Sequence, residues 1–189
     1  MIEAIVVPLG GDLHWVDVPI PGGTVPASMA VLRDEPITRA RTVLVRFPTG
    51  WAREEAGHYL ADESFVVLDG TLNMNGETYE PRSCVFVPAG AQRFATRSPQ
   101  EVLAFAHFSG PARWVVGDGR GGLIERRALE LVAAPDPGAR AAVDTEWLNL
   151  DTRAWVWIPA GVGAPMMSGL WFRRTFAPAA HPAAPEEQP

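Results

Sequence analysis

The chain has 189 residues, 47% apolar and 20% charged, with a formal net charge of −6. That is enough for one well-buried core and too apolar for a disordered polymer. The acidity argues against a nucleic-acid backbone as partner, which needs a local excess of positive charge.

All 16 basic side chains are arginine, so neither a Schiff base nor a lysine general base is available. A single cysteine, Cys84, rules out an internal disulfide and a cysteine-rich zinc site. The histidines are His14, His58, His107 and His181, and any metal site draws on that short supply. No apolar run reaches the roughly 20 residues needed to span a bilayer. The opening MIEAIVVPLGGDLHW has no basic segment followed by a long apolar one. The expectation is a cytoplasmic protein with no membrane partner. Its arginine-only basic set and its wealth of Ala, Gly and Pro suggest a bacterial source.

In chain order, residues 1–39 read as an N-terminal extension. From Arg41 the pattern is short strands separated by turn signals, as in an all-β sandwich or barrel. Arg41–Phe47 alternates and stops at Pro48, Thr49 and Gly50. Ser64–Leu68 is β-branched and aromatic and is closed by Asp69-Gly70. Thr71–Met74 and Glu77–Tyr79 flank Asn75-Gly76, the dipeptide that best tolerates the positive φ angles of a type I′ hairpin turn. Cys84–Val87 runs into Pro88-Ala89-Gly90, and Glu101–Phe108 is the last strand of the series. Trp51, Phe65, Phe86, Phe94 and Phe105 are its core aromatics, with Trp51 near the mouth. Beyond a loop at 117–123, Ile124–Ala133 suits a short helix or a strand. The Pro/Ala-rich tail 177–189, with His181, is expected to be disordered.

Ile20–Arg33 and Ile158–Arg173 share an Ile-Pro start, a Gly-rich turn, a Met and an apolar stretch ending in Arg. Either residues 117–176 are the remnant of a duplicated domain, or these are two unrelated hairpins of similar composition. The Trp-rich segment must bury Trp155, Trp157, Trp171 and Phe172 in the first barrel or in a partner subunit, hence an expected homodimer.

The spacing between Gly50 and Gly70 is informative. Gly50 is followed by five residues, then Ala56-Gly57-His58, four residues, Glu63, six residues and Gly70. This resembles the first motif of the cupin superfamily, in which a glycine leads to a His-x-His pair, a glutamate and a closing glycine. Pro88-Ala89-Gly90 resembles the Pro-x-Gly turn of the second motif, with Asn75-Gly76 as the hairpin between the two. Ala56 stands in place of the first histidine, Arg82 in place of a glycine and Arg93 in place of the last histidine. The resemblance covers residues 40–110, and the flanks are similar to the cupin domains of zinc-containing anti-sigma factors. It implies an all-β jelly-roll barrel (a double-stranded β-helix) over 40–116, with irregular N- and C-terminal extensions.

The resemblance also implies one divalent metal (Zn, Mn, Fe or Ni) and isomerase, lyase, cyclase or oxygenase chemistry on a small molecule. Of the metal positions, His58 and Glu63 survive, and His107 is a third ligand if it faces inward; Glu54 or Glu55 is a further source. Arg93 has no lone pair to offer a metal. Without a metal, His58 and Glu63 form an acid–base pair, with Arg93 as a guanidinium fork for an anionic substrate. The plainer alternative is that Arg93 and Glu63 merely neutralise one another. Beside an enzyme stand two other readings: a small-ligand-binding or sensing cupin, and a structural, dimerising subunit.

Overall fold

The computed structural model describes residues 3–176. The Pro/Ala-rich tail and His181 lie outside them. Among the described residues there is no helix, and therefore none long and apolar enough to cross a membrane. The chain divides into two compact units. The larger runs from Gly10 to Leu129, and the smaller joins the segment before Gly10 to the segment after Leu129.

Strand β1 (Ile5–Pro8) belongs to the smaller unit. The larger unit opens with β2 (Val16–Val18), β3 (Ala27–Asp34), β4 (Arg41–Phe47), β5 (Trp51–Arg53), β6 (Gly57–Tyr59) and β7 (Glu63–Asp69). It continues with β8 (Leu72–Met74), β9 (Glu77–Tyr79), β10 (Cys84–Val87), β11 (Thr96–Ser98), β12 (Val102–Phe108), β13 (Trp114–Val116) and β14 (Glu125–Arg127). The chain then returns to the smaller unit as β15 (Leu131–Ala133), β16 (Thr145–Asn149), β17 (Ala154–Ile158) and β18 (Leu170–Thr175). The stretch 124–133, suited to helix or strand by its sequence, is thus two short strands, β14 and β15.

In the larger unit a seven-stranded antiparallel sheet has the order β14-β10-β7-β12-β4-β3-β2, and a four-stranded sheet the order β5-β11-β8-β9. Pairing puts Val85, Phe65, Ala106 and Val43 in one row across the large sheet. These four pack with Leu72, Met74 and Tyr79 of the small sheet into one buried cluster. Because side chains alternate along a strand, the next row, Cys84, Val66, Phe105 and Leu44, takes the opposite face, where it is also buried. Cys84 is therefore a core residue, as its apolar strand suggests. The expectation fails for Phe94, which is 46% exposed.

Local sequence explains the corners. Asn75 and Gly76 have φ of 57° and 81°, the mirror-image turn that matches the strands' twist. The Asn75 amide also ties the hairpin down, donating to Gln92 O at 2.7 Å and accepting from Phe94 N at 2.8 Å. Arg82, in the place of a motif glycine, keeps a left-handed φ of 72°.

The smaller unit is a five-stranded antiparallel sheet, β1-β17-β16-β18-β15. Trp147, Val156, Ile158 and Trp171 form its core. Glu146 is 1% exposed; its two carboxylate oxygens accept from Trp155 Nε1 at 2.9 Å and Arg174 Nη1 at 2.8 Å. Of the four residues whose burial is the reason to expect a homodimer, Trp155, Trp157 and Trp171 are buried in the single chain and Phe172 is half-buried. The strands within the two echoing segments have different neighbours: β3 pairs with β2 and β4, whereas β18 pairs with β15 and β16.

Candidate functional site

Between the seven-stranded and four-stranded sheets of the larger unit, with Tyr59 of the two-stranded β13-β6 sheet in its wall, lies a chamber of about 460 Å³. Its walls are mostly apolar, including Val45, Phe47, Leu72, Met74, Ala104 and Ala106. Trp51, 1% exposed, stands in the wall with its ring 4.5 Å from Phe47. Charge enters at four side chains: Arg41, Arg53, Glu63 and Arg93.

Strand alternation decides which predicted residues reach the chamber. Glu63 begins β7 with its side chain on the same face as Phe65 and Val67, and it lines the chamber. Arg93 also lines it, held where its backbone exchanges hydrogen bonds with Gly57 at 3.0 and 2.8 Å. The two meet as a buried ion pair, Arg93 Nη1 to Glu63 Oε2 at 2.5 Å, with side chains 7% and 10% exposed. The approach lacks hydrogen-bond alignment, so Glu63 Oε2 and Arg93 Nε have no hydrogen-bond partner although buried.

The two histidines do not join them. On β6, Gly57 and Tyr59 are buried and His58 between them points the other way. It lines an outer cleft with Leu60, Asp118 and Arg120. On β12, Ala104, Ala106 and Phe108 face the chamber, so His107 faces away, 3.1 Å from the Thr42 hydroxyl. Glu54 is on the surface, paired with Arg97 at 3.0 Å, and Glu55 is exposed. The expected acid–base pair of His58 and Glu63 and the expected His58, Glu63, His107 metal set are therefore corrected at their histidines, while Glu63 and Arg93 do meet in the chamber. For His58 the cause is a slip of one residue on β6, which sends that strand's side chains to the other face while Glu63 on β7 stays inward. The inward pair is Gly57 and Tyr59.

Sequence reasoning missed Arg53 and Tyr59. Arg53 sits two residues after Trp51 on β5, both inward. It is 4% exposed, donates to the Tyr59 hydroxyl at 3.1 Å and stacks 4.0 Å over the Trp114 ring. The same guanidinium lies 5.5 Å from the Tyr59 ring centroid, while Arg93 lies 4.8 Å from it. Arg53 forms no ion pair among the described residues, and its Nε is buried without a partner. Opposite it on β11 stands Thr96, a chamber-lining residue whose hydroxyl is likewise buried and unpartnered. Trp51 and Arg53 share one side of a stretch of only three residues, too short for their alternation to mark a face.

No family model matches the sequence, and no curated protein matches it. Solved structures do. A candidate dioxygenase from Nostoc punctiforme superimposes with a TM-score of 0.72 over 96% of this chain and 85% of that one, at 14% identity. A candidate glyoxylate-induced protein from Pseudomonas aeruginosa gives 0.59 over 96% and 91%, at 13% identity. Protein Ylba of E. coli gives 0.53 over 92% and 86%, at 14% identity. The chain has the cupin fold. Identities this low speak for the architecture and not for the chemistry.

The cupin fold implies a divalent metal, and the residues of this barrel do not fit one. At inward position 57 an added Cβ lies 2.4 Å from Val115 O and 2.5 Å from the Trp114 ring, so the indole fills the room a ligand side chain needs. Tyr59 is engaged by Arg53, and Glu63 by Arg93. Two guanidiniums, permanent cations without a lone pair, hold the ground. Among the described residues, no three His, Cys, Asp or Glu side chains converge as a metal-binding group.

Proposed function

We propose that this cupin binds a small organic anion in its barrel, with Arg53 as the anchor. One observation carries the reading: a guanidinium 4% exposed, with no ion-pair partner, faces an apolar chamber of about 460 Å³. A buried charge without a partner is expensive and calls for a counter-ion. The volume lies in the range of small-molecule sites, which combine apolar walls with a few placed polar groups.

Thermal-shift and calorimetric titration of the purified chain with small carboxylates and their neutral amides tests this. Carboxylates are expected to raise the melting temperature and amides to leave it unchanged, with the shift lost in Arg53→Leu. Equal shifts from acid and amide sink the reading.

A second reading, isomerase- or lyase-type proton transfer on the bound anion, is favoured by one feature. Glu63 is the single carboxylate among the described chamber-lining residues, and its Oε2 has no aligned hydrogen bond. Glu63→Gln then retains ligand binding and loses turnover. Unchanged turnover removes Glu63 from the chemistry.

A further inference from the structure

We propose that the chamber selects a singly charged carboxylate with an apolar body, seated on Arg53 and Thr96, and that arginine rather than metal supplies the positive charge. This rests on the anion reading above and narrows it.

The charge account fixes the valence. Arg41 is matched by Asp34, 3.6 Å away, and Arg93 by Glu63 at 2.5 Å. Arg53 is left over, so the lining carries one unmatched positive charge. One carboxylate on a ligand neutralises it. A second finds no free guanidinium, must be desolvated in an apolar space and meets the field of Glu63.

The seat is defined by buried polar atoms that the protein leaves unpaired. Arg53 and Thr96 are cross-strand neighbours on β5 and β11. Arg53 Nε and Thr96 Oγ1 both lack a partner, although native structures rarely leave such atoms unsatisfied. A carboxylate accepts from both at once, one oxygen to the guanidinium and one to the hydroxyl. Val45, Phe47, Leu72, Met74, Ala104 and Ala106 offer no side-chain donor or acceptor, so the remainder of the ligand is apolar.

The test uses the full chain and two triads, each built on one apolar frame: benzoate, benzamide and phthalate, and 3-methylbutyrate, its amide and methylsuccinate. Calorimetry is run with and without EDTA and with added Zn²⁺ or Mn²⁺. In at least one triad the monoanion is expected to bind on the order of tenfold tighter than the amide and the dianion, because unpaired buried groups penalise the wrong charge. Chelator and metal leave that preference unchanged. Thr96→Val, nearly isosteric, weakens the monoanion on the order of tenfold with the melting temperature of the empty protein retained.

A dianion bound as tightly as the monoanion overturns the charge matching and leaves the anion reading standing. Amide and monoanion bound alike, or no member of either triad bound, overturns both. Monoanion binding lost in EDTA and restored by metal overturns the arginine assignment alone. An unchanged affinity in Thr96→Val removes Thr96 from the seat.

Discussion

Arg53 is a residue whose cost to the fold and value to the ligand have opposite signs. Arg53→Met removes an unmatched buried charge and keeps an apolar stem over Trp114. The empty protein is therefore expected to gain roughly 1–3 kcal/mol. Urea denaturation measures the gain, and the same variant fails to bind carboxylates. Glu63→Ala acts in the other direction, since it strands Arg93 in the chamber. A loss of about 3–5 kcal/mol is expected from breaking a buried pair from one side, read from the shift in denaturation midpoint. Tyr79 supplies a pH test. Burial raises its phenol above its ordinary value of 10.0, ahead of the lowering by Arg126. A raised folded-state value means that stability is intact below pH 10 and declines as the pH climbs through the shifted value. Tyr79→Phe abolishes that alkaline decline, which pH-dependent unfolding checks. At this scale the sequence disclosed Glu63 and Arg93 through their motif spacing. It concealed Arg53, because the spacing template asks only for metal ligands and an arginine outside its positions draws no notice.

Elements were legible where the chain announces its corners. Pro48-Thr49-Gly50, Asp69-Gly70 and Pro88-Ala89-Gly90 close longer strands, and β4 and β10 fall on the residues so marked. The three-residue strands β5, β6, β11 and β13 were not legible. Three residues carry barely one period of alternation, so their facing is set by partners remote in sequence. That is why β6 was read one residue out of phase and His58 was placed inward. The pairing of β6 with β13 holds Trp114 opposite Tyr59 and fills the space above Gly57. Gly57→Ala drives a methyl group against Val115 O and the indole. A loss of about 1–3 kcal/mol is expected from overpacking, with weakened carboxylate binding as Arg53 loses its stacking surface. Chemical denaturation and calorimetry on the one variant check both.

For the whole molecule, the all-β class and the barrel followed from the turn pattern and the cupin resemblance, whereas the partition of the chain did not. Nothing local in Ile5–Pro8 announces that it pairs with Ala154–Ile158, because a strand's sequence reports its own periodicity and not the identity of its neighbour. The smaller unit has its own buried charge, and Arg174→Met leaves Glu146 without its cation. Amide hydrogen exchange is expected to quicken across residues 130–176, with the barrel's carboxylate affinity unchanged. Slowed or unaltered exchange there counts against the network. The union of β1 with β17 also has a temporal consequence. β1 is synthesised ahead of Gly10–Leu129 and its partner β17 after it, so β1 waits as an unpaired edge while all of that segment is made and free to fold. The barrel is thus the natural early product of synthesis. The five-stranded sheet is the late one, and it closes only when β1 meets strands made after Leu129.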